Sequence, residues 1–64
     1  MNLQEALIKE VKRNQELLEE YKKIPTGAFG ALMIELDLER AYHALARGDV
    51  VEMAKVYEAI KGNQ

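Results

Sequence analysis

The chain has 64 residues, enough for a single domain and too few to bury a large core: a chain this size buries only about 60% of its unfolded surface. Nine basic and eleven acidic side chains give a formal charge of -2, with no concentrated basic surface of the kind that binds nucleic acid non-specifically. With no Cys, disulfides and thiolate metal sites are excluded, which leaves oligomerisation as the usual means of stabilising so small a scaffold.

The first predicted helix covers residues 2–23. Leu7, Val11, Asn14, Leu18 and Tyr21 recur at spacings of 4, 3, 4 and 3, which sets them on one stripe, and Leu3, Leu17 and Ile24 widen it. Glu5, Lys9, Lys12, Glu16, Glu19 and Lys23 fill the opposite face, with Glu5–Lys9 and Glu19–Lys23 expected as i,i+4 pairs of roughly 0.2–0.5 kcal/mol each. Asn14 interrupts the apolar stripe. Such a residue either fixes register or oligomer state at a helix–helix seam or lies at a partly wet edge.

Pro25 ends this helix, because it lacks an N–H and disfavours helical geometry at Ile24. Thr26 is then the expected N-cap of a second helix over about 27–47. Ala31, Ile34, Leu38, Ala41 and Leu45 form its core stripe. A second stripe, Phe29, Leu32, Met33 and Leu36, lies about half a turn away and occupies only the first half; Arg40, His43 and Arg47 continue that side. A helix apolar on two faces must be covered twice.

Gly48 suits a left-handed helix end. Asp49 and Glu52 have capping-box spacing and open a third helix over about 49–61. Val50, Met53, Ala54, Tyr57 and Ile60 are expected to face inward, Gly62 to stop the helix, and Asn63 and Gln64 to fray. The three helices would span roughly 33, 30 and 18 Å. The last covers about half of the other two, so the expectation is an all-α three-helix unit that associates with itself through Phe29, Leu32, Met33, Leu36 and Asn14.

The catalytic inventory is poor. Ser and Cys are absent, and the single Thr is assigned to a cap, so no nucleophile has a base beside it. His43 stands four residues after Glu39, with Arg40 where a di-iron bundle would place its Glu, and no metal or other cofactor is expected. Glu35, Asp37 and Glu39 read as a solvated face. No apolar run approaches the ~20 residues that cross a bilayer. Met1-Asn2-Leu3-Gln4-Glu5 has no signal-peptide character, and a cytoplasmic location is expected.

The segment from Ile24 to Gly30 holds the only Pro, Thr and Phe and two of the four Gly. The first N–H groups of a helix point outward with the positive end of its dipole and suit an anion. Lys22, Lys23, Thr26, Gly27 and Ala28 are candidates to hold a phosphate, with Phe29 or Tyr21 flanking a base. The alternative is packing: two Gly in one first turn cost about 1 kcal/mol each relative to Ala and imply a compensating use, which close helix contact also supplies. The Gly-Lys-Ser/Thr sequence of a P-loop is absent.

Tyr21-Lys22-Lys23-Ile24-Pro25-Thr26-Gly27-Ala28-Phe29-Gly30, with Ile34, Glu39-Arg40-Ala41 and Gly48-Asp49, resembles small uncharacterised proteins of bacterial phages and mobile elements, over residues 21–61. The resemblance implies a context and no assigned activity. More distantly, the hairpin with Pro25-Thr26 at its turn and Leu38-Glu39-Arg40-Ala41 in its second helix is similar in plan to phage sponge proteins of the anti-CBASS type, small helical oligomers that sequester cyclic-nucleotide immune signals. None of their ligand-binding residues is carried over. Two functions are therefore expected to compete: capture of a phosphorylated small molecule, such as a nucleotide second messenger, at the first turn, and inhibition of a host protein through the second apolar stripe of the second helix.

Overall fold

A computed structural model describes residues 2–64, which fold into three α-helices: α1, Leu3–Lys22; α2, Ala28–Arg47; and α3, Val50–Ile60. Each helix packs against both others, giving a unit of 36 × 19 × 16 Å. α1 buries Leu7, Val11 and Leu18, α2 buries Ala31, Ile34, Leu38, Ala41 and Ala44, and α3 buries Met53, Val56 and Ile60. The three alanines on α2 keep its core face flat, and Leu3, Leu17, Tyr21, Leu45 and Tyr57 close the edges.

Helix ends follow local chemistry. Asn2 caps α1, its Oδ1 accepting from the Glu5 N–H at 2.8 Å. Gly48 ends α2 with a left-handed φ of 67°. The Gly48 N–H donates to Leu45 O and the Asp49 N–H to Ala44 O, the paired bonds of a Schellman motif. Asp49 caps α3 by accepting from the Glu52 N–H at 3.1 Å. The reciprocal half of the expected capping box is missing: the Asp49 N–H serves Ala44, and the Glu52 carboxylate takes two donors from Arg40, at 3.1 and 2.8 Å.

Several expectations need correction. Thr26 does not cap α2; Gly27 occupies the cap position and no side chain bonds there. The turn is instead closed by backbone bonds from Ile24 N–H to Tyr21 O and from Gly27 N–H to Ile24 O. On α3, Val50 and Ala54 are exposed and Val56 is buried, so the core stripe runs 53, 56, 60. Ion pairs on α1 form one residue closer than expected, Glu19 with Lys22 and Glu20 with Lys23, while Glu5 turns to Asn2.

Asn14 lies neither at a wet edge nor at an outer seam: it is fully buried inside the unit. Its amide donates to Glu10 O at 2.8 Å and Ile60 O at 3.2 Å, and its Oδ1 accepts from the Asn63 amide at 2.9 Å. Arg13, held by Glu10 at 2.6 Å, donates to the carbonyls of Ile60, Lys61 and Asn63. These two residues of α1 thus satisfy carbonyls that the end of α3 leaves free, and the cation also complements that helix end. α3 ends at its cap Lys61, directly before Gly62, which has no left-handed φ. Asn63 and Gln64, expected to fray, are bonded back to α1, the first to Asn14 and Arg13 and the second accepting from the Tyr21 hydroxyl.

Candidate functional site

The α1–α2 turn gathers part of the set expected to bind a ligand. A groove of about 400 Å³ is lined by Tyr21, Lys22, Ile24, Pro25, Ala28 and Leu32, with Ala31 and Glu35 completing it. Lys23, Thr26, Gly27 and Phe29 do not line it. The N-terminal turn of α2 receives no side-chain cap and holds no acidic residue, so its outward N–H groups remain open to an acceptor.

Both glycines of this turn have a packing explanation. A Cβ on Gly30 would lie 2.5 Å from Cε2 of Tyr21, so the absence of a side chain there makes room for the Tyr21 ring. A Cβ on Gly27 would lie 2.5 Å from the carbonyl oxygen of Tyr21 and 3.2 Å from Cβ of Ile24. At Gly27 φ is -92°, so steric contact rather than a special backbone angle selects glycine. The ring of Tyr21 packs on Gly30 and its hydroxyl bonds Gln64, which leaves it poorly placed to flank a base. The basic component is also partly neutralised. Lys22 lies 3.7 Å from Glu35 and 3.9 Å from Glu19, and Lys23 lies 3.7 Å from Glu20.

Among the described residues, no element covers the second stripe of α2. Phe29 is 74% exposed, Leu32 50%, Met33 45% and Leu36 51%. Beside it runs a second groove, about 330 Å³, with Leu18 and Leu38 as its floor and Leu32, Leu36 and Tyr42 as its walls. Glu35 and Glu39 complete its lining. Leu32 and Glu35 belong to both grooves, so the two form one furrow between α1 and α2, and no residue of α3 lines it. Gln15 holds one wall in place through a 2.9 Å bond to the Tyr42 hydroxyl. The apolar stripe was legible from periodicity. The furrow beside it was not, because Leu18 and Tyr42 meet it from different helices.

Elsewhere, a third depression of about 320 Å³ is lined by Arg40, His43, Arg47, Asp49 and Glu52 with Ala44, and its Arg40 and Glu52 are paired with one another. Among the described residues no group of three or more His, Asp or Glu is arranged to hold a metal ion. None of the described helices is long and apolar enough to cross a membrane. Lys61 is held above the ordinary lysine range by its hydrogen bond to Glu58 and that carboxylate's charge, at an exposed position outside these grooves. No protein-family model, curated protein or solved structure matches the chain.

Proposed function

We propose that this chain is a non-enzymatic protein-interaction module that works through the N-terminal half of α2. The observation that carries the reading is the contiguous exposure of Phe29, Leu32, Met33 and Leu36 beside an apolar furrow. Single exposed apolar residues are ordinary, but four large ones on one stripe of a 64-residue chain form a patch on the order of 400 Å². Aromatic and Met side chains are enriched in protein contacts, where a few anchors carry most of the binding energy. Phe29 is the natural anchor.

The second reading, capture of a phosphorylated small molecule at the turn, is favoured by the uncapped N-terminus of α2. It is the weaker of the two, because Tyr21 accounts for both glycines and carboxylates accompany both lysines. The two readings separate by substitution. Phe29→Asp is expected to abolish Phe29-dependent protein association, whether with itself or with another protein, while keeping the helical circular-dichroism signal. Thr26→Val and Lys23→Ala should leave that association unchanged. Calorimetric heat with a panel of cyclic nucleotides, lost in Thr26→Val and Lys23→Ala and retained in Phe29→Asp, would overturn the proposal in favour of the anion site.

A further inference from the structure

Resting on the reading of α2 as a protein-binding face, we infer that its occupant is a second copy of this chain, docked α2 against α2 in antiparallel fashion about a two-fold axis between Leu32 and Met33. The argument begins with self-complementarity. A two-fold contact requires that whatever residue i meets on its partner also meets residue i in return. The exposed stripe carries both halves of such a contact. Phe29 is a projecting ring at one end. Leu36, two turns and roughly 10 Å along the helix, is a wall of the furrow floored by Leu18 and Leu38. Reversing one helix against its copy about that axis brings Phe29 of each protomer to the furrow of its partner, and both contacts form together.

Charge selects the antiparallel sense. The same side of α2 continues into Arg40, which is paired with Glu52, then His43 and the cationic Arg47. Parallel docking would set Arg47 against Arg47 and place two positive helix N-termini side by side, whereas antiparallel docking separates both. It also sets Glu39 of one protomer against Thr26 of the other, beside the N–H groups that no side chain caps in the single chain. A carboxylate there is favourable for the same reason that Asp49 is favourable at the start of α3.

Area fits a small interface. The stripes of two copies together offer about 800 Å², and Ile24, Pro25 and Tyr42, which border the furrow, extend this toward the ~1,200 Å² of a standard specific contact. A chain this short gains proportionately from the extra buried surface.

Sedimentation of the purified full chain tests this together with single-cysteine cross-linking, which is clean because the sequence has no native Cys. The expected species has twice the 7.3 kDa chain mass. Phe29→Asp and, independently, Leu36→Lys should each weaken association at least ~30-fold, the threshold of an interface hot spot, with circular dichroism reporting that each variant folds. Under mild oxidation Leu32→Cys, next to the axis, should cross-link with itself, and His43→Cys should not. A dimer in which His43→Cys cross-links would overturn the antiparallel arrangement. A monomer at every concentration, or a mass other than twice the chain, would overturn the two-fold dimer. In the monomer case, Phe29-dependent binding of a different protein would leave the functional reading of the face intact, and its absence would remove both.

Discussion

Asn14→Ala is expected to lower the unfolding free energy by about 3 kcal/mol, the sum of a small cavity and lost bonds to buried groups. In a domain of this size that corresponds to a fall in melting temperature of roughly 12–24 °C. The side chain is fully buried and uses both its donor and acceptor, on Glu10, Ile60 and Asn63. Truncation removes the bridge between the middle of α1 and the end of α3 and leaves the Asn63 amide to find water. Arg13→Ala should cost less, about 1–2 kcal/mol, because Arg13 is part-exposed and water replaces some of its bonds. The two share the Ile60 carbonyl, so the double variant should lose less than the sum. Thermal melts of the three variants test this. A wild-type melting temperature for Asn14→Ala would mean that apolar packing of Met53, Val56 and Ile60 alone holds α3 in place.

The glycine substitutions give the second large effect and separate packing from ligand binding. Gly27→Ala is expected to cost about 2–3 kcal/mol, because the added methyl meets the backbone carbonyl of Tyr21 and the chain must move. Gly30→Ala meets the Tyr21 ring instead. Its overpacking cost is offset in part by the better helix propensity of Ala, leaving a net loss of about 1–2 kcal/mol. Removal of the ring reverses the sign for one site only. In a Tyr21→Ala background Gly30→Ala should become neutral or stabilising by up to ~1 kcal/mol, whereas Gly27→Ala should stay costly. Denaturant unfolding of the double-mutant cycle reads the difference. If Gly30→Ala is harmless with Tyr21 present, contact with that ring does not explain the glycine.

The three helices and their order were legible because Leu7, Val11 and Leu18 keep a strict helical spacing, and because Pro25 and Gly48-Asp49 punctuate the chain without ambiguity. The inward face of α3 was harder. Val50, Val51, Ala54 and Ala59 make that short helix apolar nearly all round, so periodicity alone does not choose between Val50 and Val56. Asn14 could not be interpreted from its neighbours, since the carbonyl and amide that justify it lie 46 and 49 residues away. The sequence left Gly27 and Gly30 open between close packing and a ligand, and the contact that favours packing, Tyr21, reaches both only through the hairpin. Local signals fixed a helix end well where the capping group was adjacent, as at Asp49; Asn2, expected inside the first helix, is its cap instead. Such signals missed what holds the end of α3, where the capping groups come from α1.

Phe29 offers a direct probe of the α2 face, because it is the only phenylalanine in the chain and 4-fluorophenylalanine therefore labels it alone. Fluorine NMR of this single site, recorded from high to low protein concentration, reads whether the ring is covered. Burial in the furrow of a second copy predicts a resonance that is insensitive to exchange of H2O for D2O at high concentration and moves to a solvent-sensitive position on dilution. One solvent-sensitive resonance at all concentrations, unchanged by any protein partner, would contradict the assignment of this face as the working surface.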